Sequence, residues 1–121
     1  MNTGGLMKNF AMEKFIEKLK FSPENILFED TITIIDQYYF FEPTMFKNGD
    51  VINKINENNG SCKLLAFANL NQFSVQETLD CFGQYYRDDV SKNPDGNNHQ
   101  NIRNFMRSGW DAVSFGHQPL K

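Results

Sequence analysis

His99, Arg103 and Arg107 stand at successive four-residue steps near the end of the chain. On a helix that spacing places one imidazole and two guanidiniums on a single polar stripe. Two forked donors beside a group able to take or give a proton suit a small anion or a carboxylate. The stripe also suits a solvated face whose arginines pair with Asp88, Asp89 or Asp95, and arginine near a helix C-terminus complements the helix dipole with no ligand. Upstream lies Tyr85-Tyr86-Arg87-Asp88. Adjacent residues on a helix point about 100° apart, so Tyr86 is expected to anchor the core edge and Tyr85 to line a cleft. A fold-back at Pro94-Asp95-Gly96 would bring the two groups together. Tyr85, Arg87, His99, Arg103, Arg107 and Trp110 are therefore the candidate ligand-binding residues.

Other chemistries find less support. Asp88, Asp89, Asp95 and His99 cluster in sequence, but a calcium-loop register from Asp89 puts Pro94 where glycine is needed and Gln100 where a bidentate glutamate is needed. A zinc site wants Cys or His pairs at close spacing, and the chain offers His99, His117, Cys62 and Cys81 far apart. No metal or other cofactor is expected. The two cysteines read as reduced core filler; a thiol paired with His99 has no supporting motif. Glu42 and Asp36 are carboxylates without a partner pattern.

The elements that must position these groups follow from periodicity and punctuation. Met7, Phe10, Ala11, Phe15 and Leu19 fall on one helical stripe, with residues 1–6 expected to be disordered ahead of it. Phe28, Ile32, Ile35 and Tyr39 predict a second helix, although Thr31-Ile32-Thr33-Ile34-Ile35 would also suit a strand. Pro43 forces an extended stretch, and Asn48-Gly49 predicts a tight turn between short strands. Cys62–Leu70 reads as a short helix capped by Ser61, or as a buried strand. Ser74-Val75-Gln76-Glu77 is a capping box, and the seam Val75, Leu79, Phe82, Tyr86 predicts a helix to about Val90. Gly83 inside that helix costs about 1 kcal/mol against alanine, which points to another segment crossing closely there. A last helix from about His99 to Arg107, with Ile102, Phe105 and Met106 inward, stops at Gly109, and Trp110–Phe115 closes the chain as a strand. The sum is a single α+β domain over residues 7–121, mostly helical, with a small β-sheet or hairpin.

Composition bounds the rest. The chain has 121 residues and 14% aromatics, including 12 Phe, enough for a core without disulfides. Its net charge of −3 and lack of a basic run argue against nucleic-acid binding. Apolar runs fall far short of the roughly 20 residues that span a bilayer, and the N-terminus has no secretory pattern, so a cytoplasmic protein without a membrane role is expected. Abundant Asn, Ile, Lys and Phe fit an AT-rich genome.

The runs FKNG, NNGSCKLLAFANL, CFGQYYRDDV and HQNIRNFMRSGW, spread between Phe28 and Phe115, resemble the HopJ type III effector proteins. The resemblance implies a bacterial protein delivered into host cells and brings no catalytic residue set with it. Two readings remain open. One is an effector-like protein that acts through an unknown protein partner. The other is a small cytosolic enzyme or ligand-binding protein whose polar cleft holds a small anionic ligand.

Overall fold

The computed structural model describes residues 3–121, with side chains from Asn9 onward. The side chains of the expected disordered start, residues 1–6, and that of Met7 lie outside this description. Eight main elements follow in order: α1 (Thr3–Phe21), α2 (Phe28–Tyr38), β1 (Phe46–Asn48), β2 (Val51–Asn53), α3 (Asn59–Leu70), α4 (Val75–Cys81), α5 (Gln100–Ser108) and β3 (Val113–Phe115). Short 3-10 turns at Pro23–Asn25 and Trp110–Ala112 and a π-helical turn at Tyr85–Val90 complete them.

Helix α3 is the axis of a single α+β domain. Cys62, Leu64, Leu65, Ala66, Phe67 and Ala68 are all buried. An apolar helix with no solvated stripe has to be surrounded, and α2 and α4 pack on it. Phe67 collects the edges and faces of Phe15, Tyr39 and Phe73 at ring separations of 5.9, 6.0 and 5.6 Å. The helix begins at Asn59, three residues before the expected start, so Ser61 lies in its first turn and not at its cap.

The Phe28 ambiguity resolves as helix. Asp30 accepts a hydrogen bond from the Leu27 amide at 2.9 Å, and Thr31, Ile34 and Ile35 face inward. The β-branched run loses to this cap and to the helical spacing of the buried positions. On α1 the inward residues are Phe15 and Leu19, whereas Phe10, expected on the same stripe, stays exposed beneath the Lys14 ammonium.

The three strands form an antiparallel sheet in the order β2-β1-β3. Phe46 pairs with Asn53 on one side and Phe115 on the other, and the hairpin turns at Gly49 with φ +60°. The expected Trp110–Phe115 strand is half that length, because Trp110–Ala112 coil into a 3-10 turn first. Trp110 packs edge-on against Phe105 and donates to the Phe73 carbonyl at 2.9 Å.

The Ser74 capping box forms: Ser74 Oγ accepts from the Glu77 amide, and the Glu77 carboxylate from the Ser74 amide. Leu79 and Phe82 face the core, but the helix does not continue to Val90. It stops at Cys81, and Gly83 takes φ +61°. The chain then resumes as a π-helical turn in which the Ser91 amide reaches back to the Tyr86 carbonyl. The Ile26–Phe28 backbone crosses at Gly83, as the glycine suggested. Helix α5 buries Ile102 and Phe105 and ends at Gly109, φ +64°, while Met106 points outward.

Candidate functional site: an aromatic and asparagine cleft

Where the Ile26–Phe28 segment crosses Gly83, side chains from four distant segments meet. Gln84 Oε1 accepts from the Phe28 amide at 2.9 Å, and its Nε2 holds the Glu29 carboxylate at 3.0 Å. Phe28 is thereby fixed over the start of the π-helical turn, 5.1 Å from the Tyr85 ring and 6.3 Å from Phe82. Tyr85 in turn stacks on the His99 imidazole at 5.1 Å and 21°. Irregular π turns place side chains that a continuous helix would rotate away, and they recur at functional sites for that reason.

This aromatic row is one wall of a cleft of about 400 Å³, whose other lining includes Val51, Asn58, Gly60, Ser61, Gln100, Asn101 and Ile102. The first turns of α3 and α5 both open onto it. Neither helix has a side-chain cap bond, and both N-cap residues, Asn58 and His99, are left-handed, with φ +55° and +51°. The opening amides of a helix have no intrahelical acceptor, so both helices present donors and the positive ends of their dipoles here, although the Ile102 amide already bonds the His99 carbonyl.

Beneath the cleft runs a buried amide network. Asn101 and Asn53 exchange reciprocal bonds at 2.9 and 3.1 Å. Asn48 donates to the Asn101 carbonyl at 2.7 Å, and Asn58 donates to Asn53 Oδ1 at 2.8 Å. Buried polar groups are tolerable only when paired, so this network fixes the β1–β2 hairpin and the α3 start relative to α5. Asn48 Oδ1 is left without a partner among the described residues.

Tyr85 and His99 are the two sequence-predicted residues that share this cleft. The other four lie elsewhere. Arg87 donates to the Ile26 carbonyl at 2.7 Å and anchors the crossing segment. Arg103 is buried, 5% exposed. Its guanidinium is consumed by the Asn98 carbonyl (2.6 Å), Asn98 Oδ1 (2.7 Å) and the Asn93 carbonyl (2.8 Å). Arg107 lines a separate groove with Val90, Pro94 and Met106, and Trp110 lies against Phe73 and Asn69. The expectation of one concavity holding Tyr85, Arg87, His99, Arg103, Arg107 and Trp110 is therefore corrected. The left-handed backbone at His99, which precedes α5, takes its ring out of phase with Arg103 and Arg107, while Arg87 and Trp110 are drawn to the Ile26 and Phe73 carbonyls. The arginines do not pair with Asp88, Asp89 or Asp95 either: Asp88 meets Lys92 at 3.1 Å and Asp89 meets His99 at 3.0 Å.

Both cysteines are free thiols in the core. Burial pushes Cys62 up to about 11, against a weaker lowering by a backbone hydrogen bond from Thr44. Burial, with the Asp80 and Glu77 charges, pushes Cys81 higher still. Neither is a nucleophile near neutral pH.

The molecule is thus a small helical α+β domain with a cleft built at two helix starts. Residues 12–120 match the model of the HopJ type III effector protein family, and the chain belongs to that family. It is similar to a solved structure described as the crystal structure of unknown function protein VPA0580, with 48% identity, coverage of 90% of this chain and 91% of that one, and a TM-score of 0.88. No curated protein matches the chain. No described helix is long and apolar enough to cross a membrane.

Proposed function

We propose that this HopJ domain is a small-molecule-binding protein whose ligand lies in the cleft between Phe28, the start of α3, Tyr85 and the start of α5. The observation that carries this reading is the meeting of Phe28, Tyr85 and His99 with Asn58, Ser61, Gln100 and Asn101 in one concavity. An apolar wall with a few convergent polar groups is the usual form of a ligand site. The ligand class shifts from the anion first expected. The cleft-lining residues include no lysine or arginine, so a planar molecule with hydrogen-bond acceptors fits better than a phosphate or a multiply charged acid. Its plane would lie along Phe28 and Tyr85 and its acceptors toward the helix starts.

The test is an amide chemical-shift titration with small aromatic esters, amides and monocarboxylates. Binding should move Gly60, Ser61, Tyr85 and Gln100 together, and Tyr85→Ala should weaken it at least about tenfold, as expected for a lost stacking face. Shifts scattered over the surface, or Tyr85→Ala binding like wild type, would remove the cleft from consideration.

The family match over residues 12–120 supports a compatible second reading, in which the chain is delivered to a host cell and meets its ligand or a protein partner there. A reporter fusion should then enter host cells from a secretion-competent strain and fail to enter from a secretion-deficient one. Equal signal from both strains would set delivery aside.

A further inference from the structure

His99 is the one imidazole among the residues that line the cleft. Its Nε2 lies 3.0 Å from Asp89 Oδ2. An ionised carboxylate only accepts, so in the neutral ring this contact puts the proton on Nε2 and the lone pair on Nδ1. The Nδ1 atom makes no cap bond to α5, and no partner for it is found among the described residues. The ring plane is held by stacking on Tyr85. This arrangement persists at a left-handed non-glycine residue, φ +51°, a backbone state that costs roughly 1–2 kcal/mol. Strain of this kind is retained where the surroundings over-determine a side chain's position.

We propose that His99, positioned by Asp89, is a general base acting on a small carbonyl compound, an ester in the first instance, bound along Phe28 and Tyr85. The proposal rests on the cleft being the ligand site. Nδ1 takes a proton from a water molecule as the water oxygen bonds to the carbonyl carbon and the C=O π pair moves onto oxygen. The intermediate collapses, C=O re-forms, and the C–O bond to the leaving group breaks with its electron pair on the departing oxygen. The proton on Nδ1 passes to that oxygen or, for a phenolate, to solvent. Asp89 remains a carboxylate beside the imidazolium throughout. The developing oxyanion has donors in the first turn of α3, where Gly60 and Ser61 line the same cleft.

The probe is p-nitrophenyl acetate, a planar activated ester, with the full chain. His99→Asn is the informative variant, because asparagine tolerates the left-handed backbone and the fold should survive. It should lower kcat/KM at least about tenfold, the low end for loss of a general base falling near a hundredfold with natural substrates. Asp89→Asn should lower kcat about threefold or more with KM unchanged, since the carboxylate steadies the base and does not touch the ester. His117→Gln, at the exposed second histidine, should leave the rate as it is. Amide spectra of each variant confirm the fold. Hydrolysis by His99→Asn at the wild-type rate, or an equal loss in His117→Gln, would overturn the assignment. If the ester and its amides still bound in the cleft in that case, the binding reading would stand without the acid–base role. If no compound perturbed the cleft, both would fall.

Discussion

Gly83→Ala should remove about 4 kcal/mol or more of the protein's stability. A methyl group built at this position sits 2.5 Å from the Phe28 amide nitrogen, 2.7 Å from the Leu27 carbonyl carbon and 2.9 Å from the Ile26 carbonyl oxygen. All three are backbone atoms that cannot rotate away, and the Phe28 amide and Ile26 carbonyl are held by Gln84 and Arg87. The φ of +61° adds roughly 1–2 kcal/mol for any L side chain. Together these effects should cost about 4 kcal/mol or more, a large share of the 5–15 kcal/mol typical of a domain. Urea unfolding monitored at Trp110 measures it. A loss below about 1 kcal/mol would mean that the Ile26–Phe28 segment does not cross at Gly83, and the aromatic wall of the cleft would lose its support.

The second large effect belongs to Arg103. Its guanidinium ties Asn93 and Asn98 to α5, and Gly96 is kept bare beside it, with a methyl there only 2.7 Å from Nη2. Hydrogen bonds to a charged group contribute about 1.5–3 kcal/mol each when buried. Arg103→Met keeps the aliphatic stem and should still cost about 3 kcal/mol, because several carbonyls lose their donor at once. Arg103→Lys should recover little, since an ammonium cannot span acceptors that a planar fork reaches. Hydrogen exchange should rise across residues 91–98 in both variants, with ligand affinity changed little. The opposite pattern, a stable protein that no longer binds, would return Arg103 to the ligand site.

These two residues show where local pattern ran out. The helical stripes, the Asn48-Gly49 turn and the Ser74 box were legible because each is decided within a few residues. Gly83 was legible in part: its helix cost pointed to a close crossing, but not to the break and π turn that follow. Arg103 looked like one member of a polar stripe because four-residue spacing carries no information about burial. The cleft itself was mostly hidden. Phe28, Asn58, Ser61 and Asn101 come from separate segments, and left-handed geometry at Asn58 and His99 has no glycine to announce it. The asparagines that knit the floor together look like compositional bias until Asn48, Asn53 and Asn101 are seen bonded to one another.

A crystal structure of the protein soaked or grown with the tightest compound from the ester, amide and carboxylate series tests the cleft most directly. The ligand plane should lie against Phe28 and Tyr85, with an acceptor within hydrogen-bond distance of the Gly60 or Ser61 amide and His99 Nδ1 facing the ligand while Nε2 stays on Asp89. Density for the ligand in the Arg107 groove or on another face, with the Phe28–Tyr85–His99 cleft holding only solvent, would contradict it.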